Sequence, residues 1–310
     1  MGTDLPDEPD VPPDGHADRR DDQTGGTRPA RPGGTEAETR SRQDYYADLR
    51  IAVSTEETLT ARAEQDAADK WNENVTESRW MWTEYQRKWP PSERPPVDKS
   101  AGPPGSWHGE GNRVLDRAAN GQVEAACDRI AEREREKISP AMHAVESQDP
   151  DRHLIGFDNR LKGRDRIKEK VYDTVQERDH SPEDAVSLVP DTIRYTFQYR
   201  EARYTQGVFA DIGRLKEQGF ELHSLWNAWS DDQYKGINSQ WIDRDTGQRF
   251  EVQFHTRISF EAKQLTHDAY ERLRSKQADV FEELVLEAFQ KKVAGEVPVP
   301  PGAADIPDYP

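Results

Sequence analysis

The chain has 310 residues, 43 Lys+Arg against 60 Asp+Glu, a formal net charge of -17 and only 33% hydrophobic residues. So acidic a chain is poorly suited to duplex DNA, which needs a clustered surplus of Lys and Arg, and its low apolar content implies one folded domain with extended flanks. The single cysteine, Cys127, excludes an internal disulfide framework and a Cys-based zinc site. No run reaches the roughly 20 apolar residues of a membrane helix, and the opening MGTDLPDEPDVPPDG lacks the basic and apolar regions of a signal peptide. A cytoplasmic location is expected, with export by a route not visible in the sequence left open.

Residues 1–43 are rich in Pro, Gly, Asp, Glu, Arg and Thr and read as a disordered acidic arm. Residues 44–89 favour helix: Leu59, Ala63 and Ala67 repeat at helical spacing ahead of Trp71, Trp80, Trp82, Tyr85 and Trp89. Such rings need a partner surface, either the main domain or another protein. Residues 90–111 carry three Pro-Pro pairs and several Gly, which predicts a semi-rigid linker.

A helix is expected from Asn112 to Lys137, interrupted at Ser139-Pro140, with a short helix over 141–146. From Leu154 onward helix and strand alternate, an α/β pattern. Ile167, Val171 and Val175 mark a helix, and the alternation over Ile193–Tyr199 marks a strand with two unlike faces. A helix through Val208, Ile212 and Leu215 ends at Gly219. Strands follow over 220–226, 237–243 and 249–255, the last two joined by the turn Asp245-Thr246-Gly247. Helices are expected over 259–274 and 278–291, and residues 293–310, with five prolines after Val297, as a loose tail.

Three places could carry chemistry. Arg160-Leu-Lys162-Gly-Arg164-Asp-Arg166-Ile-Lys168-Glu-Lys170 concentrates six basic residues in an acidic protein, with Gly163 ahead of a helix N-terminus, an arrangement suited to phosphates. The alternative is a solvated basic face. On the strand over 249–255, Phe250, Val252 and Phe254 point one way and Glu251, Gln253 and His255 the other, so that the polar face is either a site or plain surface. With Asp191, Glu251 would make a carboxylate pair fit for Mg²⁺. In the loop 230–238, Tyr234 is suited to stack on a nucleobase and Lys235 to reach a phosphate, although a Tyr in a turn also serves as packing. His255 and His267 lack a third zinc ligand at a recognisable spacing.

In order along the chain, these segments resemble the synthetase domain of the RelA/SpoT-type alarmone synthetases, which transfer pyrophosphate from ATP to the 3′-hydroxyl of a nucleotide. The resemblance covers roughly Leu154 to Arg274, less than half of the chain, and places the domain with its N-terminal helices at residues 112–292. It implies an α/β (α+β) fold: a mixed β-sheet flanked by helices, of nucleotidyltransferase-like type. Arg160 to Lys170 resembles the ATP-binding stretch, with Gly163 where Ser is common. Asp191-Thr-Ile-Arg194 resembles a metal-binding Asp and a following Arg, closer together here than in the long enzymes. Tyr234-Lys235-Gly-Ile-Asn238 resembles the acceptor loop, with Asn238 in place of His. Glu251-Val-Gln253-Phe-His255-Thr is similar to the family's Glu-x-Gln-x-Arg-Thr strand, with His255 in place of Arg. The stretch Lys263 to Tyr270 resembles the closing helix. These departures are similar to an actinobacterial branch that includes secreted ATP nucleotide 3′-pyrophosphokinases and toxin-like small synthetases.

The resemblance implies Glu251 and Asp191 as catalytic residues and Mg²⁺ ligands. It implies Arg160, Lys162, Arg166, Lys170 and Arg194 as ATP-binding residues, and Tyr234, Lys235, Asn238, Gln253 and His255 as acceptor-binding residues. The partners would be ATP and a purine nucleotide, with an antitoxin or scaffold docked on the Trp-rich helix. Stacking on Tyr234 alone would admit more than one purine. No counterpart of the hydrolase or regulatory domains of long family members is visible, which is consistent with a regulated synthetase or a toxin. Two other functions stay open: modification of the tRNA 3′ end, which the acidic arm disfavours, and a non-catalytic nucleotide-binding module.

Overall fold

The computed structural model describes residues 36–90, 102–177, 180–275 and 278–310, with 36–57 as backbone only. The chain divides into residues 1–54 and 55–310. Of the first unit only the opening of helix α1 (Glu36–Lys88) is described, and the sheet with its flanking helices belongs to the second. The expected arm lies outside the described residues for 1–35, whereas 36–43 belong to α1. The helix occupies the interval between Gly34 and Pro90, which holds neither Gly nor Pro, so nothing in it stops the helix.

The Trp-rich side of α1 packs inside the chain. Trp71 is buried and its Nε1 donates to Glu261 Oε2 at 2.7 Å. Trp82 stacks on Phe289 at 5.3 Å between centroids, and Tyr85 Oη donates to Glu282 at 2.6 Å. Of the two partner surfaces open to these rings, the main domain therefore takes most of them, and Trp80, 64% exposed, stays on the surface.

Part of the expected linker, 91–101, lies outside the described residues. Its end is ordered: strand β1 (Trp107–His108) pairs with β2 (Val114–Leu115), and Trp107 Nε1 donates to Asp165 Oδ1 at 2.9 Å. Val114 and Leu115 are thus in a strand and not in the expected helix, which starts later as α2 (Arg117–Arg133) under an Asp116 cap. Ser139-Pro140 does not break the chain of helices. A single π-helical stretch, Glu134–Ile138, joins α2 to α3 (Ser139–Glu146), and Pro140 follows directly after this wider turn, in the first turn of α3.

The remaining elements are β3 (Arg152–Ile155), α4 (Arg164–Glu177), α5 (Pro182–Ser187), β4 (Arg194–Tyr199), α6 (Tyr204–Glu217), β5 (Phe220–Asn227), β6 (Ile237–Asp243), β7 (Arg249–Thr256), α7 (Arg257–Arg274) and α8 (Val280–Gly295). The sheet is five-stranded and mixed, in the order β3-β4-β7-β6-β5, with β4 parallel to β7 and the other pairs antiparallel. This is the expected mixed sheet with flanking helices. One sheet face is apolar: Tyr195, Phe197, Phe250, Val252, Phe254 and Trp241 are all buried.

The C-terminal residues are packed, contrary to the expected loose tail. Val297, Ala303 and Ile306 are buried, and Tyr309 exchanges backbone hydrogen bonds of 2.8 and 3.0 Å with Leu225 on edge strand β5. Asn227 Nδ2 donates to the carbonyls of Ala303 and Ile306 at 2.8 and 2.7 Å. The prolines preclude regular strand pairing but not burial of the aliphatic residues between them. No helix among the described residues is long and apolar enough to cross a membrane.

Candidate active site

Residues alternate across a strand, so strand register decides which side chains share a face. Arg194 on β4 lies opposite Glu251 on β7, which lies opposite Gln240 on β6. The next row is Thr196, Gln253 and Asn238. Glu251 is 7% and Gln253 4% exposed. The polar face of β7 is therefore an interior one, which removes the reading of it as plain surface. It forms the floor of a cleft of about 1060 Å³, at the top of the usual range for a single ligand.

The basic stretch divides by helical geometry. Lys162, Arg166 and Lys170 line the cleft, whereas Arg164 and Lys168 turn toward α2 and pair with Glu124, Arg164 also with Asp128 at 2.5 Å. Lys162 and Lys170 clasp Asp191, with Nζ–Oδ distances of 2.7 and 2.8 Å. Burial alone would raise the Asp191 carboxyl, but the two lysines outweigh it and bring its pKa down to about 2. The segments meet because Lys162 N–H donates to Thr192 O at 2.9 Å and Arg194 N–H to Arg160 O at 2.7 Å. The solvated-face reading of this stretch is thereby replaced by an ion-paired one.

Glu251 sits between this cationic end and an aromatic one. Burial raises its pKa, opposed by the Gln253 amide, which donates to Glu251 Oε1 at 2.6 Å, and by Arg194, while the Asp191 charge adds to the rise. At the other end Tyr234 Oη bonds Asn238 Oδ1 at 2.9 Å and His255 Nε2 at 2.8 Å, and its ring lies nearly parallel to Trp226, 14° between planes and 5.7 Å between centroids. Trp226 is 47% exposed and, like Tyr234 and Asn238, lines the cleft. Gly236 approaches the His255 ring with φ +145°, and a Cβ there would meet the imidazole at 2.6 Å, so only glycine closes this loop.

Three expected site residues do not line the cleft. Arg160 lies over the Phe157 ring and donates from Nε to Glu134 at 2.6 Å; Glu134, in the π-helical stretch, also accepts from Tyr195 Oη at 2.6 Å. The Lys235 ammonium donates to the carbonyls of Trp229 and Asp231 at 2.9 and 2.5 Å, tying off its own loop. His255 is fully buried, with Nδ1 2.9 Å from Ser259 Oγ in the capping box of α7, and burial holds its pKa well below the usual histidine value. A neutral His255 links Tyr234 to α7 and brings no charge to this end of the cleft.

Lys263, Trp226, Gln240 and Gln290 also line the cleft and were not among the residues expected from the sequence. Lys263 donates to Gln253 Oε1, and burial, reinforced by the Arg194 charge, lowers its pKa to about 8. Its signal was present: Lys263, Thr266, His267, Tyr270 and Arg274 recur at helical spacing on one side of α7, and all line the cleft. Among the described residues, no group of three or more His, Cys, Asp or Glu is placed to hold a metal. Asp191 and Glu251 nevertheless suit Mg²⁺ in donor chemistry, since that ion takes one or two carboxylates and fills its other positions with water and phosphate oxygens.

No protein-family model matches the chain and no curated protein matches it. Among solved structures, the chain is similar to a GTP pyrophosphokinase family protein from Streptococcus pneumoniae, with 12% identity, 59% of this chain and 90% of that chain covered, and a TM-score of 0.39. It is also similar to small alarmone synthetase 1 from Bacillus subtilis bound to its product pppGpp, with 12% identity, 58% and 93% covered, and a TM-score of 0.36.

Proposed function

We propose that the protein transfers pyrophosphate from ATP to the 3′-hydroxyl of a purine nucleotide. The observation that carries this reading is the position of Glu251: a buried carboxylate on the sheet floor, with the Asp191–lysine cluster at one end of the cleft and Tyr234 and Trp226 at the other. A cationic end for a triphosphate and an aromatic end for a base are what two nucleotide substrates require. Lys162, Lys170, Arg194 and Lys263 would neutralise the donor phosphates, and Arg160, through Glu134, would hold that wall in place. Asp191 and Glu251 would hold Mg²⁺, which when bound supplies further positive charge to the phosphates.

The acceptor base stacks at Tyr234 and Trp226, bringing its 3′-hydroxyl toward Glu251. The 3′-oxygen attacks the β-phosphorus of ATP, the bond between that phosphorus and the α,β-bridging oxygen breaks, and AMP leaves with the bridging oxygen. Glu251 takes the hydroxyl proton; its raised pKa suits it to that role near neutral pH. Most of the acceleration comes from positioning and charge neutralisation, as in other transfers from ATP.

The test is incubation with Mg²⁺, labelled ATP and, separately, GDP, GTP, AMP, ADP, bulk tRNA or no acceptor, with Glu251→Gln alongside. A labelled purine nucleotide formed by the wild type and lowered about 1,000-fold or more in Glu251→Gln, at an unchanged melting temperature, is the expected result. Label on tRNA alone would move the acceptor to the tRNA 3′ end, and label on nothing would refute transfer altogether.

A further inference from the structure

A second, smaller pocket lies between α2, α5 and the turn that joins β6 to β7, and it shares no lining residue with the cleft. Buried Ala126, Ile130 and Val186 line it together with three arginines, Arg129, Arg133 and Arg249. Arg129 is paired with Glu183 at 2.5 Å. Among the described residues, Arg133 and Arg249 have no carboxylate in ion-pair contact, and the Arg249 guanidinium has no hydrogen bond either. Both side chains are half-buried. The enclosed amide of Gln248, 8% exposed, links their positions: its Oε1 accepts from Arg133 Nη1 in a long contact of 3.4 Å, and its Nε2 donates to the Arg249 carbonyl at 2.8 Å. Two like charges kept on one pocket wall, each stripped of part of its water, are unfavourable, and an anion between them reverses the sign of that interaction.

We infer that this pocket is a second anion site, separate from the cleft, in which Arg133 and Arg249 hold an oxyanion of phosphate size. The planar guanidinium presents paired N–H donors that match the oxygens of a phosphate. At about 190 Å³ the pocket is smaller than the roughly 300 Å³ at which sites for cofactor-sized ligands begin, so a phosphate group fits and a whole nucleotide does not. The aliphatic residues beside the arginines leave two sources for that group, the free ion or a phosphomonoester with a small apolar substituent. Arg133 directly precedes Glu134, which holds Arg160, and Arg249 stands two residues before Glu251 on β7, so a bound anion contacts the segments that carry the wall and floor of the cleft. The site does not depend on the pyrophosphate-transfer reading.

The experiment titrates the full chain with inorganic phosphate by calorimetry, at an ionic strength held constant with chloride. It compares the wild type, the double variant Arg133→Gln/Arg249→Gln and, as a control for binding in the cleft, Lys162→Gln. Glutamine keeps much of the side chain and removes a charge that has no acidic partner, so the melting temperature without phosphate should not fall. The wild type should bind phosphate with a Kd of about 1 mM or tighter; Lys162→Gln should retain that binding and the double variant should lose about tenfold or more of the affinity. Added phosphate should raise the melting temperature of the double variant less than that of the wild type. Phenyl phosphate separates the sources: tighter binding than phosphate, lost in the double variant, supports a phosphomonoester, and equal or weaker binding supports the free ion. The inference is overturned if phosphate does not bind, if the double variant binds it as the wild type does, or if Lys162→Gln alone abolishes binding, which would place the anion in the cleft only. Should the double variant melt well below the wild type, Arg249→Gln alone decides, with the same loss of affinity expected and its absence contradicting the inference.

Discussion

Glu251 and Lys263 both bond the Gln253 amide, and the cleft pushes their protons in opposite directions. Burial raises the Glu251 carboxyl, and burial with the Arg194 charge lowers the Lys263 ammonium to about 8. The profile of kcat/KM against pH, which reports the free enzyme, should therefore rise as Glu251 loses its proton and fall near pH 8 as Lys263 loses its charge. Lys263→Arg keeps the charge at every accessible pH and should move the falling limb well above 8; an unmoved limb would show that Lys263 is not the group responsible. The stability sign is opposite. A lysine whose folded pKa is lowered binds fewer protons folded than unfolded between about 8 and its usual value, so its contribution to stability improves as pH rises through that window.

Tyr234 also does more than offer a ring. Its hydroxyl joins Asn238 and His255, so Tyr234→Phe should cost about 1–3 kcal/mol of stability by leaving those partners unpaired, read as a lower melting temperature, while the acceptor KM changes little. Trp226→Ala should instead raise the acceptor KM by about tenfold with the ATP KM unchanged, since it removes an exposed stacking face. A Trp226→Ala variant with both constants unchanged would remove Trp226 from the acceptor site. Glu251 and Gln253 were legible in the sequence because period-two alternation puts two polar residues on a face where an interior strand should be apolar. Trp226 was not, since nothing local marks a residue whose role depends on which distant loop packs beside it.

At the level of elements, strands with clean alternation were legible almost to the residue: β6 spans Ile237–Asp243 as expected, and β7 ends one residue later than expected, at Thr256. Strand β3 escaped because Arg152, at its start, is fully buried and paired with Asp211 at 2.6 Å, so that its charge hides an interior position. The same cause hid the C-terminal residues, whose prolines suggest looseness while Val297, Ala303 and Ile306 are buried. Removing residues 297–310 should therefore destabilise the protein by about 3 kcal/mol or more, lowering the melting temperature by roughly 6–12 °C. It should also loosen the end of β5 that carries Trp226, because Leu225 and Asn227 on either side bond the removed segment. A truncated protein that melts like the full chain would show that this packing contributes nothing.

Within a chain of net charge -17, most of the described basic residues have acidic partners, and a few face the cleft. Among the described residues Arg194 has no carboxylate in ion-pair contact, and Lys162 and Lys170 share one carboxylate, so under the proposed function incoming phosphates would meet cations whose charge is not fully spent. That arrangement suits a donor triphosphate lying between Asp191 and Glu251, with the acceptor on the far side of Glu251, and it makes one chemical commitment: the β- and γ-phosphates of ATP move together. The most direct measurement follows the wild type with Mg²⁺ and a purine nucleoside diphosphate, using ATP labelled in one experiment at the β-phosphate and in another at the γ-phosphate. Both labels should reach the acceptor's 3′ position in equal amounts, with one AMP released per product. Transfer of the γ label without the β label, or release of pyrophosphate with AMP joined to the acceptor, would contradict the account.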